Sequence, residues 1–96
     1  MDHLISDAVA DKLREKHHVF EDEVIECFEN RTKRTIEETR EEHRTSPPTR
    51  WFISETNAGR RLKVVFIQIS DSEIVIRSAY QPDEIEEEIY ERKTKN

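Results

Sequence analysis

Cysteine is almost missing from this 96-residue chain, with Cys27 standing alone. No disulfide forms within it, which excludes the small stapled scaffolds of secreted proteins. A zinc site lacks its usual donors as well. The four histidines are dispersed, and the neighbours His17 and His18 point different ways on a helix end. No metal or cofactor is therefore expected. Long apolar runs are also missing, which excludes a membrane-spanning helix. The opening Met1-Asp2-His3-Leu4 has neither the basic nor the apolar region of a signal peptide. These absences together predict a cytoplasmic address and no membrane partner. Glycine occurs once, at Gly59, and proline three times, so each marks a specific break in the chain.

Charge is abundant. Charged residues make up 40% of the chain and apolar ones only 33%, a balance that raises the question of disorder. The apolar residues are concentrated, however, in 62–69 and 74–79 and at helical spacing across 4–28. That concentration argues for one folded domain spanning residues 1–96, with a modest core. The net charge of −6 means the chain as a whole is not drawn to nucleic acid. Its two ends are acidic, while 31–50 and 60–80 carry a small basic excess, so a local basic face and ordinary solvated charge are both open readings.

Ile5, Val9 and Leu13 recur at four-residue steps, predicting a helix over about 5–17, capped by Ser6 or Asp7. A second helix is predicted over 21–30. Glu21, Asp22 and Glu23 suit the positive end of its dipole, and Val24, Ile25 and Phe28 form its apolar stripe with Cys27 at the edge. Residues 31–49 admit two readings, a short edge strand at 34–38 or a helical continuation. Pro47 and Pro48 end either one, leaving a loop over 39–50. Strands are predicted over 51–56, 62–69 and 73–79, joined by turns at Asn57-Ala58-Gly59-Arg60 and Asp71-Ser72. The connections are too short for crossover helices, so the strands pair antiparallel. Pro82 suits the first turn of a closing helix over 83–92. Ile85, Ile89 and Tyr90 form its stripe, Glu86-Glu87-Glu88 face water, and the end from Lys93 frays. The expected fold class is α+β, with two N-terminal helices packed on a three- to four-stranded antiparallel sheet and a C-terminal helix.

Cys27 reads as a small hydrophobe, since no base stands near it in sequence. The carboxylates of Glu37, Glu38, Glu41, Glu42, Glu84 and Glu88 read as solvated faces. The basic set Arg60, Arg61, Lys63 and Arg77 is more informative. Guanidinium groups gathered on a sheet face can clamp phosphates, with Tyr80 and Trp51 as stacking surfaces for bases. The competing reading is an arginine paired with a helix glutamate, tying helix to sheet.

The succession Lys16-His17-His18-Val19, Gly59-Arg60-Arg61-Leu62-Lys63-Val64-Val65-Phe66, Ile76-Arg77-Ser78-Ala79 and then Glu86 with Tyr90 resembles the BrnT-type toxins of bacterial toxin–antitoxin pairs. The likeness covers roughly residues 12–90. That family consists of small ribonucleases with a RelE/ParE-like fold. Its pattern has glycine where this chain has His18, and arginine where it has Tyr80. The resemblance implies metal-independent cleavage of RNA and an antitoxin partner. Arg60, Arg61 and Arg77 would then stabilise the developing phosphorane charge, and Tyr80 or His43 would transfer the proton. Residues 39–56 and 65–82 are also similar to small bacterial proteins that carry the automatic name ADP-ribosyl-(dinitrogen reductase) hydrolase. Established enzymes of that activity use a large helical domain with paired acidic metal ligands, which a chain of this length does not build. The alternative to a nuclease is a non-catalytic protein- or nucleic-acid-binding module on the same scaffold, docking a partner at Trp51, Phe52 or the closing helix. Oligomeric state is not legible in the sequence.

Overall fold

The computed structural model describes residues 2–39 and 46–95. Along the chain run β1 (Asp2–Leu4), α1 (Asp7–His17), α2 (Glu21–Glu29), β2 (Ile36–Glu37), β3 (Thr49–Glu55), β4 (Arg61–Gln68), β5 (Glu73–Tyr80) and α3 (Glu84–Thr94). The class is α+β, with two N-terminal helices, a sheet and a closing helix, as the periodicity predicts. The sheet has the order β1-β5-β4-β3-β2. From β2 to β5 all pairing is antiparallel, and β1 adds a parallel edge beside β5. β1 has no counterpart in the sequence reading, because three residues are too few to display a period of two. The short-strand reading of 34–38 holds as β2. β3 begins inside the expected loop, at Thr49.

Alternation along the central strands separates two faces. Leu62, Val64 and Phe66 of β4 point to one side with Phe52 of β3 and Ile74, Ile76 and Ala79 of β5, all buried. α1 and α2 cover this side. Phe28 of α2 stands edge-on to Phe52 and Phe66, with centroids 4.8 Å and 5.5 Å away. Leu13, Val19, Val24 and Cys27 complete the layer. Cys27 lies in the core rather than at its edge, and Ile25 is exposed instead. α3 covers the opposite side, where Tyr90 meets Trp51 at 5.6 Å. The register slips between Val65 and Phe66, which face Ser78 and Ile76 in turn, so Arg77 is an extra residue in β5, a β-bulge.

Helix ends follow their chemistry. The Ser6 hydroxyl accepts the Val9 N–H at 3.2 Å. α1 terminates on His18, whose φ of 54° lies in the left-handed region. The Val19 N–H then reaches the Leu13 carbonyl. Glycine is the residue this conformation favours. His18→Gly is therefore expected to stabilise the fold by about 1 kcal/mol, since a side chain there holds a left-handed backbone at about that cost. Thermal unfolding followed by circular dichroism reads the shift, and a lowered midpoint would count against it. Gly59, at φ 87°, occupies the β3–β4 turn, where the Thr56 and Arg60 backbones bond each other.

α3 departs from expectation at both ends. Its N-cap is Asp83, so Pro82 precedes the helix instead of entering its first turn. At the other end, Thr94 is buried and its hydroxyl bonds the Tyr90 carbonyl at 2.6 Å. The Arg34 guanidinium donates to the Lys93 carbonyl, and the Tyr90 hydroxyl donates to the Arg34 carbonyl at 2.8 Å. These bonds tie the last turn to the segment before β2, and the helix continues where fraying is expected. No helix among the described residues is long and apolar enough to cross a membrane.

Candidate functional site

β4 leaves the Gly59 turn with Arg60 and Arg61 in succession, and a strand sends successive side chains to opposite faces. Arg60 turns toward the N-terminal helices. Its guanidinium donates to the carbonyls of His18 at 2.7 Å and His17 at 2.9 Å and lies 3.5 Å from Glu23. It thereby satisfies carbonyls at the C-terminal end of α1, where a cation is favoured. Arg61 turns toward α3 and grips Glu87 through two bonds of 2.7 Å. Arg77 sits exposed on the bulge of β5, without a hydrogen bond or ion pair among the described residues. The three arginines expected to share a cationic pocket are thus dispersed over two faces. Arg61 realises the competing reading of a helix-to-sheet tie. His43 lies outside the described residues.

Tyr80, the remaining predicted residue, belongs to a real cluster on the α3 face. It lies directly across from Lys63 in the ladder. The Lys63 ammonium is 2.7 Å from Glu86 Oε2, and the Tyr80 hydroxyl donates to the same oxygen at 2.8 Å. Only 4% of Lys63 is exposed. Burying a cation so fully is costly unless it is paired. Glu86 supplies the pair, and the Trp51 ring, with its centroid 4.3 Å from the ammonium, adds a cation–π contact. Glu86 Oε1 meanwhile accepts the Asp83 N–H at 3.1 Å, while Asp83 Oδ1 accepts the Glu86 N–H at 2.8 Å. One carboxylate therefore closes the capping box of α3 and fastens the helix to the middle of the sheet. The expectation that Glu86 and Glu87 face water is overturned, because each meets a cation that the sheet projects upward.

Burial pushes the Glu86 carboxyl up, but the Lys63 ammonium, the Asp83 N–H and the Tyr80 hydroxyl outweigh it and hold the group below the ordinary carboxylate value. Burial, followed by the bond to Glu86, raises the Tyr80 phenol, which keeps its proton at neutral pH. His17, in the last turn of α1, lies with its ring 5.6 Å from that of Tyr80. Its pKa is lowered by burial and then by Lys12 and Lys16, which favours the neutral imidazole. Burial pushes the Cys27 thiol up to about 12, with Glu23 and Glu26 adding to the effect, so this cysteine carries no thiolate. Among the described residues no group of three histidine, cysteine or carboxylate side chains is placed to hold a metal ion.

A cavity of about 280 Å³ opens beside the cluster, between α3 and β2, β3 and β4; Trp51, Lys63, Ile85, Glu86 and Ile89 line it. A larger opening of about 620 Å³ lies between the end of α2, the end of β3 and Tyr90. Its size alone does not recommend it. It holds none of the Lys63, Tyr80 and Glu86 cluster, and of its charged lining residues Lys33, Glu55 and Arg61, the arginine is already bound to Glu87 and lies 3.5 Å from Glu55. Sequence reading set Lys63, Trp51 and Tyr80 in one candidate phosphate-binding group and left Glu86 apart on the closing helix. What joins them is the period of two along β3 and β4 combined with the i to i+3 reach of the capping box. No family model matches the chain, and comparison with curated proteins finds no match.

Proposed function

We propose that this chain is a non-catalytic binding module of the cytoplasm that engages a protein partner through the α3 face of its sheet. The observation that carries this reading is the commitment of the charged groups. Arg60 is bound to two helix carbonyls, Arg61 to Glu87, and Lys63 to Glu86. Phosphoryl chemistry needs cations directed at the reacting group, and these are directed at the protein itself. Glu86, whose carboxylate accepts the Tyr80 hydroxyl, receives three side-chain or backbone donors and is held below its ordinary pKa. A general base works best with its pKa near the working pH, and Glu86 is shifted the other way.

The second reading is a BrnT-like toxin, a metal-independent ribonuclease restrained by an antitoxin. It is favoured by the meeting of a hydroxyl, a carboxylate, an ammonium and a nearby imidazole at Tyr80, Glu86, Lys63 and His17, together with the exposed guanidinium of Arg77, which has no ion pair among the described residues. Purified protein incubated with total RNA, and a growth assay with and without the neighbouring reading frame, separate the two. The binding reading expects intact RNA and no growth arrest. Cleavage that Arg77→Ala abolishes would replace it with the nuclease.

A further inference from the structure

We propose, on the premise of the binding reading above, that the cavity beneath α3 receives a lysine or arginine side chain from a basic segment of the partner protein. Its lining combines apolar side chains, which suit a stem, with carboxylates, which suit a cationic head. Ile85 is 68% exposed, and with Ile89 and the buried Trp51 it supplies the apolar part of the lining. Glu37 and Asp83, both exposed, line the cavity too. An exposed isoleucine is unremarkable when isolated. This one lines a half-open cavity, and its neighbours Asp83, Glu84, Glu86, Glu87 and Glu88 are all acidic. A purely apolar partner would bury those carboxylates without compensation. Lysine and arginine satisfy both parts, since the stem packs on apolar surface while the cation stays among carboxylates.

Two local cations set the balance. The charge of Lys63 is met by Glu86, and its ammonium already covers the Trp51 ring, so an incoming cation is directed outward to Glu37 and Asp83. Lys93 also lines the cavity, and with Glu37 it lines a neighbouring opening as well, so its charge repels a second cation and favours a single inserted side chain. The net charge of −6 draws a basic segment and opposes a polyanion such as RNA.

Trp51 is the only tryptophan, so its fluorescence reports the cavity directly. The full chain is titrated with a peptide of alternating lysine and leucine, with its glutamate-and-leucine counterpart, and with an RNA oligonucleotide. The expected result is a saturable change in Trp51 emission for the basic peptide alone. Three variants locate it, each checked for native circular dichroism. Glu37→Lys is expected to weaken binding roughly tenfold or more, while Glu29→Lys, the same charge change on α2 and the other side of the sheet, leaves it unchanged. Ile85→Asp makes the surface more acidic but removes the apolar wall, and it too is expected to weaken binding roughly tenfold. Tighter binding by Ile85→Asp, equal loss in Glu29→Lys, a matching response to RNA, or no saturable response to the basic peptide would each overturn the proposal. A protein that ignores the peptide yet leaves RNA intact fails this inference alone; one that cleaves RNA fails the binding reading itself.

Discussion

Glu86→Ala is expected to destabilise the fold by about 3–5 kcal/mol, the usual consequence of leaving a buried charge without its partner. The loss falls on Lys63, whose ammonium would remain facing the Trp51 and Tyr80 rings with 4% of the residue exposed. The reverse substitution is milder. Lys63→Met keeps the apolar stem and removes the charge, and Glu86 retains the Tyr80 hydroxyl and the Asp83 N–H. Its side chain is also 20% exposed, so water reaches it. The two variants should therefore differ, with Glu86→Ala the worse, and urea unfolding of both measures the difference. Equal losses would mean that the pair contributes only as surface charge. The sign of the pH dependence follows. The Glu86 carboxyl lies below its ordinary value in the folded chain, so its contribution is complete above that ordinary value and fades as pH falls through the folded-state value. Glu86→Gln should accordingly flatten the acid side of the stability profile.

Phe52→Ala is expected to cost about 3–5 kcal/mol, as deletion of a fully enclosed aromatic ring does. Phe52 is wholly buried, and its ring stands against both Phe28 and Phe66. The cavity left behind would border α2, β3 and β4 at once, so no single element can shift to fill it. A domain of this size has about 5–15 kcal/mol of stability in total, so the urea midpoint should fall by a large fraction. Phe20→Ala provides the contrast: that ring is 55% exposed, and the change should stay within about 0.5 kcal/mol. A Phe52→Ala variant with a near-native midpoint would show that the aromatic group is not the centre of the core.

The central strands and both N-terminal helices were legible because their apolar spacing is sustained over several turns or pleats. Ser6, Gly59 and the run Val64-Val65-Phe66-Ile67 each sit where their chemistry predicts. β1 was not legible, because a three-residue parallel edge depends on β5 being there to pair with it. At the candidate site, residue types were legible but their grouping was not. Arg60 and Arg61 are neighbours in sequence, and the pleat of β4 sends them to opposite sides of the molecule. The run Glu86-Glu87-Glu88 looks uniform, yet among the described residues two of its members meet cations and the exposed Glu88 does not. Only the crossing of α3 over β4 decides which. His18 shows the opposite case. Its departure from the glycine of the resembling pattern is visible in the sequence, and the backbone there adopts the conformation that glycine would ease.

Because one carboxylate both starts α3 and anchors it to the buried lysine, the two cannot come apart separately. Unwinding the first helical turn pulls Glu86 off Lys63, and losing the ion pair frees the turn. The N-terminal half of α3 should therefore exchange its amide protons together with the core of the sheet, in one cooperative opening, instead of melting early as a peripheral helix would.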